Sequence, residues 1–254
     1  MQTMSKKFEK TEKKLPFSIL VFDLETTGLL DTPNATITEV GMVKWLPLEK
    51  RIVEATSFLM APQSEDFKVP EEITVLTGIT TTMVKLFSYG SECMNSVFSM
   101  MKSCDAIMAR NGVRFDWPML QRVSAKLGIV PPELTLIDDY YDIPYPSWVK
   151  GRSLSYVAAD HGFLNPFSHS VIGDAMTLVK VMEVGKYDML KAYESARSPI
   201  VHIEALVDFN GKDKAKDTGF KWNPDVQKWV KQMRQHQFAA IEFPFPTQVY
   251  AVHD

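Results

Sequence analysis

The stretch FSILVFDLETTGLL, residues 17–30, makes two demands that conflict. Ile19, Leu20, Val21 and Phe22 form an apolar, largely β-favouring run bound for the interior. Asp23 and Glu25 close the same run, and Gly28 follows where the chain can turn. Side chains alternate along a strand, so residues i and i+2 project from one face. Two carboxylates therefore stand together at the tip of a buried strand, where like charges repel. A surface pair matched by nearby lysines would be the plain account, but the apolar flanks and the shared face weaken it. A divalent cation resolves the conflict. Hard cations take carboxylate oxygens, and Mg²⁺ keeps waters that substrate phosphates displace.

The rest of the chain supplies a frame for that strand. Strand patterns recur at residues 37–47 and 51–60, and shorter ones at 105–112 and 133–141. Helical patterns occupy 69–78, 90–104, 116–128, 153–162 and 170–185. In the second of these Met94, Val97, Phe98 and Met101 share a stripe. The third has Asp116 placed to cap its start, Pro118 in its first turn and Gly128 beyond its end. Three strands followed by strands alternating with helices argue an α/β or α+β core with a mixed sheet. Residues 1–15 read as a flexible, Lys-rich tail ahead of a domain spanning 16–195. Near residue 200 the texture changes. Residues 201–209 and 239–253 are strand-like, and 220–233 resemble a hairpin around Asn223-Pro224, giving a small α+β module over 200–254. Such a module is small enough to lean on the main domain.

Two further acids and a histidine need explanation. The apolar series Val171, Ala175, Leu178, Val179 and Met182 has helical spacing, and Asp174 occupies an inward slot of it. A border acid favoured by the helix N-terminus is the bland reading. His169 lies five residues earlier, about 140° away on a continuous helix, so the two converge only if His169 sits in the preceding loop. A lone histidine is commonly a structural hydrogen-bonder, and capping alone accounts for Asp116. The segment NGVRFD nevertheless places Asn111 and Phe115 at a strand-to-helix loop, where sites collect.

Taken in order, Asp-x-Glu on a first strand, Asn-x-x-x-Phe-Asp in the middle and His-x-x-x-x-Asp near the end resemble the DEDD exonucleases. The histidine stands five residues before the last Asp and no tyrosine stands four before it, which resembles the DEDDh, or DnaQ-like, subclass. That subclass is typified by the proofreading subunit of bacterial DNA polymerase III, ribonuclease T and oligoribonuclease. The fragments VFDLETTGL, ITEVGMVK, EEITVLTGIT, ARNGVRFDWPML and LSYVAADHGFLNPFSHSVIGDAMTL carry the likeness over residues 17–185. The resemblance implies a ribonuclease H-like mixed sheet flanked by helices. It implies two Mg²⁺ or Mn²⁺ ions held by Asp23, Glu25, Asp116 and Asp174, with Asp23 shared. It also implies His169 as acceptor of a water proton, a task suited to imidazole. The expected reaction is hydrolysis of the 3′-terminal phosphodiester of DNA, releasing nucleoside 5′-monophosphates. Thr26 and Thr27 would lie by the terminal nucleotide, Asn111 on the substrate side, and Phe115 either near the 3′ bases or in the core. The chain departs from the family at Arg110, where His often precedes the Asn, and an arginine there can hold a phosphate. Two alternatives stay open: a 3′→5′ exoribonuclease of the ribonuclease T or oligoribonuclease kind, and an inactive exonuclease-fold module that docks a polymerase. A phosphate-binding NTPase is disfavoured, because no glycine-rich Lys-Ser/Thr loop is present.

The formal net charge of −3 is unevenly spread, and residues 210–234 are net basic. Lys212, Lys214, Lys216 and Lys221 are interleaved with Phe220, Trp222 and Trp229, a mixture that can track a phosphate backbone and stack bases. The same tryptophans could equally be the core of a small hairpin under a solvated lysine face. The run is similar to a small module appended to phage and plasmid DNA-processing proteins. That likeness implies a role in holding a single-stranded DNA or RNA 3′ end, or a replication or repair partner, and a phage or mobile-element source. Cys93 and Cys104 make neither a metal-like spacing nor a disulfide framework. The first residues lack a signal-peptide core, and no apolar run approaches the roughly 18–20 residues of a membrane span. A reducing, cytoplasm-like compartment is expected.

Overall fold

A computed structural model describes residues 17–60, 66–86, 90–151 and 153–253; the expected N-terminal tail lies outside them. Five strands form the first sheet: β1 (Ile19–Thr26), β2 (Ile37–Leu46), β3 (Arg51–Leu59), β4 (Ala106–Ala109) and β5 (Leu136–Asp138). Their order is β3-β2-β1-β4-β5. β1 pairs antiparallel with β2 and parallel with β4, so the sheet is mixed. Helices α1 (Glu71–Thr77), α2 (Thr81–Leu86), α3 (Gly90–Lys102), α4 (Asp116–Lys126), α5 (Asp139–Asp142), α6 (Leu154–Asp160), α7 (Val171–Val184) and α8 (Met189–Ala196) complete this ribonuclease H-like unit.

The central strand shows why the layers form. Even-numbered residues of β1, Leu20, Phe22 and Leu24, pack with Met94 and Val97 of α3 and with Met119 and Leu120 of α4. Odd-numbered Ile19 and Val21 pack with Ala175, Leu178 and Val179 of α7. Residues 19–22 are at most 1% exposed, and each buried side chain of this size contributes roughly 1.5–3 kcal/mol. Asp23 and Glu25 continue the odd-numbered row. They point to the layer of α7.

The second unit is a four-stranded antiparallel sheet of β6 (Ile200–Ala205), β7 (Lys221–Asn223), β8 (Lys228–Arg234) and β9 (Thr247–His253), in the order β7-β8-β6-β9. Two short helices, α9 (Lys212–Asp217) and α10 (Gln235–Ala239), interrupt it. Its core joins Val201, Ile203, Ala205, Ala215, Phe220 and Met233. A buried seam ties it to the first unit. Arg234 donates from Nε and Nη2 to the two Asp142 carboxylate oxygens at 2.9 and 2.7 Å, and from Nη1 to the Ser198 carbonyl at 3.0 Å.

Several expectations need correction. The strand expected through Tyr141 ends at Asp138, whose side chain accepts the Tyr140 N–H at 2.8 Å and starts α5. Strand character expected from 239 begins only at Thr247, because α10 occupies 235–239 and Pro244 and Pro246 lack the N–H that a ladder needs. The helices at 189–196 and 212–217 were not expected either. Among the described residues no helix is long and apolar enough to cross a membrane.

Candidate active site

β1 delivers Asp23 and Glu25 to the open end of the sheet. Asp23 lies opposite Gly41 of β2, and the ladder slips between Glu25 and Thr26 where the strand ends. Gly41 lets α7 come close. A Cβ there would lie 2.5 Å from the Val171 Cβ and 2.6 Å from its carbonyl carbon, at the first turn of α7. Asp174 stands in that same turn, on a helix capped by Ser170. Ligand oxygens of Asp23, Glu25 and Asp174 fall within 4.8 Å of one another. We therefore expect Gly41→Ala to push α7 off the sheet, lowering stability by about 1–3 kcal/mol in urea unfolding. Any nuclease activity should fall further than stability does, because Asp174 moves with the helix.

Asp116 arrives from the other layer. The expectation that it caps its helix is overturned: Phe115 holds the N-cap position, and Asp116 is the first helical residue, only 4% exposed. Its carboxylate lies close to the Leu24 N–H of β1 as well as to its own N–H, so it turns inward toward the strand. Asp23, Asp116 and Asp174 line one cleft of about 210 Å³ with Leu24, Arg110, Asn111, Phe115 and Leu154. Phe115 lines this cleft and also packs on the core.

The electrostatics of the cluster are one-sided. Burial pushes Asp23 well above the usual carboxylate range, and the charges of Asp116, Asp174 and Glu25 push it further. Burial, then Asp174 and Glu39, raise Glu25 to about 8. Burial raises Asp116 to about 7 against the pull of backbone N–H groups. Asp174 is raised by burial, opposed by the N–H donors around it. Such a cluster needs protons or a cation. Oxygen donors on a solvent-reachable cleft fit a hard divalent ion.

His169 lies in the loop before α7, as convergence with Asp174 requires, and is exposed. Its backbone is left-handed, with φ +62°, and its N–H donates to Asp174 Oδ2 at 2.9 Å. Asn165 donates its side-chain amide to Asp174 Oδ1 at 2.5 Å. This asparagine was missed in the sequence, although NPFSHS has the composition of an Asx turn, and Asn165 Oδ1 does accept the Phe167 N–H. Thr26 and Thr27 do not line the cleft. The Thr26 hydroxyl donates to the Gly28 carbonyl at 2.9 Å and Thr27 Oγ1 accepts the Thr36 N–H at 3.0 Å, so both close the loop after β1.

Arg110 and Asn111 are held from below. Asp139, fully buried, accepts from the Arg110 guanidinium, from the Tyr145 hydroxyl at 3.0 Å and from the Asn111 N–H at 3.2 Å. Neighbouring Asp138 accepts the Val113 N–H at 2.9 Å. These bonds fix the 110–115 loop, including Asn111 at φ +54°, and thereby the start of α4. The sequence IDDYYD gave no sign of this role.

In comparison with known proteins, the RNase_T family, described as Exonuclease, matches residues 20–182, and a domain of unknown function (DUF8626) matches residues 201–248. No curated protein matches the chain in sequence. The fold is similar to that of exonuclease I, with a TM-score of 0.63 at 14% identity, over 86% of this chain and 62% of that one. E. coli exonuclease I in complex with a 5cy-dT13 oligonucleotide gives a TM-score of 0.63 at 13% identity, over 87% and 64%. The nuclease domain of 3′hExo, a DEDDh family member bound to rAMP, gives 0.55 at 15% identity, over 66% of this chain and 90% of that domain. This chain thus spans under two thirds of the exonuclease I chains. Their coverage of this chain exceeds what residues 17–199 can supply, so the likeness of fold reaches into the second sheet.

Proposed function

We propose, from the premise that the chain belongs to the RNase_T exonuclease family, that it is a metal-dependent 3′→5′ exonuclease acting on DNA. The observation that carries this reading is the convergence of Asp23, Glu25 and Asp174 within 4.8 Å, with Asp116 on the same cleft. Four carboxylates raised together by burial, and in part by one another, call for a cation. The fold shared with an exonuclease I bound to a thymidine oligonucleotide favours DNA as substrate.

Asp23, Glu25, Asp116 and Asp174 would hold two Mg²⁺ or Mn²⁺ ions, which when bound stabilise the charge on the attacking and leaving oxygens of an in-line displacement. Arg110, anchored by Asp139, presents its guanidinium to a phosphate in the cleft. Asn111 and Phe115 border the terminal nucleotide. The His169 imidazole takes the proton of the attacking water. The water oxygen bonds to phosphorus, the 3′ oxygen of the penultimate nucleotide leaves, and a nucleoside 5′-monophosphate departs.

The test is release of mononucleotides from 3′-labelled and 5′-labelled DNA and RNA, with and without EDTA. Immediate release of the 3′ label and slow shortening of the 5′-labelled strand, both blocked by EDTA, are expected. Preferential RNA digestion would replace the substrate, and no digestion of either would overturn the reading. His169→Ala should lower turnover about 10²–10⁴-fold while leaving the Mn²⁺-induced rise in Tm intact. His169→Asn, better suited to the left-handed backbone, should behave alike. Undiminished turnover in either variant would remove the imidazole from the reaction.

A further inference from the structure

Beyond the cleft, the second sheet turns one face toward the 110–115 loop and α5, leaving a groove of about 460 Å³ at the seam. Arg114, Tyr140, His202, Lys221, Asn223 and Tyr250 line it, and no Asp or Glu does, in a chain of net charge −3. Glu204, on the same sheet, is neutralised by Lys228 at 2.7 Å. Tyr140 and Tyr250 are 44% and 40% exposed, so part of each ring reaches solvent. Arg114 is steadied by Gln232, 2.9 Å from its Nε, and lies over the Tyr141 ring.

The groove adjoins the carboxylate cleft, with one side-chain contact between their linings. Arg110 lines the cleft and lies 4.9 Å above the ring of Tyr140, which lines the groove. Positive charge and aromatic rings therefore lie between the four acids and the second sheet. We propose that this groove carries the single-stranded nucleic acid that leads away from the 3′ terminus, with phosphates against Lys221 and Arg114 and bases against Tyr140 and Tyr250. The proposal rests on the exonuclease reading of the cleft. A single strand suits the groove because every base offers a face to stack, whatever the sequence. The tryptophans singled out in the sequence are not its platform. Trp222 alternates away from Lys221 and Asn223 and meets Trp229 edge-on at 5.9 Å, while Phe220 is in the core.

The experiment uses the full chain, wild type and Lys221→Glu/Tyr250→Ser, with two probes. Binding of a 5′-fluorescein oligothymidylate of about 15 nucleotides, long enough to fill a single-strand site, is read by anisotropy in EDTA. Hydrolysis of thymidine 5′-monophosphate p-nitrophenyl ester, which reaches only the cleft, is read with Mn²⁺. The double variant should bind the oligonucleotide about tenfold or more weakly, with a shallower salt dependence, and hydrolyse the ester within about twofold of wild type. Lys221→Glu alone, at an exposed position of β7, should show part of the same loss. Unchanged oligonucleotide affinity would overturn the groove, as would a parallel loss of ester hydrolysis. Failure of the wild type to hydrolyse the ester, with length-dependent binding intact, would instead sink the exonuclease reading.

Discussion

Asp23→Asn should abolish Mg²⁺-dependent mononucleotide release, by about a thousandfold or more, and at the same time raise the Tm of the metal-free protein. The two effects share one cause. In the metal-free fold the carboxylates are raised, Glu25 from 4.5 to about 8, so the folded state binds protons more tightly than the unfolded chain. Stability from these groups is therefore fully present below about pH 4.5 and is lost as pH rises toward about 8. Removing one charge relieves its neighbours, a gain on the order of 2 kcal/mol near pH 8 once solvent screening is allowed for. Calorimetric scans at about pH 5 and pH 8, in EDTA and in Mn²⁺, test this directly. The wild type should lose Tm between the two in EDTA and recover it in Mn²⁺, whereas Asp23→Asn should lose less and recover less. Wild-type activity in this variant, or a metal-free Tm that climbs with pH over the same range, would refute the cluster as a cation site.

Arg234→Ala is expected to cost about 3–5 kcal/mol, because it strands the buried Asp142 charge without its bidentate partner. Asp142 would retain only the Ser195 hydroxyl at 2.8 Å and the Asp138 N–H at 2.9 Å. Asp142→Ala should cost a similar amount, and the double variant clearly less than the sum of the two, since the interaction is lost once. Urea unfolding of the three variants decides it. Additive losses would mean that the pair does not join the two units energetically.

Parts of this architecture are legible in the sequence because they rest on short periods. β1 and its carboxylate pair follow from alternation, and the inward slot of Asp174 follows from the apolar period of α7, but the gathering of these acids into one cluster comes only from the family resemblance. Asp116 lines the cleft, but the local reason read for it, capping, does not hold, since capping and inward burial are indistinguishable without the neighbouring strand. The acids of IDDYYD are not legible at all. Their partners Val113, Arg110 and Arg234 come from 25, 29 and 92 residues away, and no local pattern encodes a partner at such a distance. The basic-aromatic segment of the second unit is half legible. Its composition points to a phosphate backbone, but only the turn of α9 and the pleat of β7 sort its rings between core and surface.

The left-handed loop before α7 carries a further consequence. A residue other than glycine at φ +62° costs about 1 kcal/mol or more of backbone strain, and glycine would relieve it. The Asp174 contact made there uses the backbone N–H, which glycine would also supply. If His169 takes the water proton as proposed, the strain is tolerated for its imidazole, and this loop becomes a place where a more durable protein and a working one would be written with different residues.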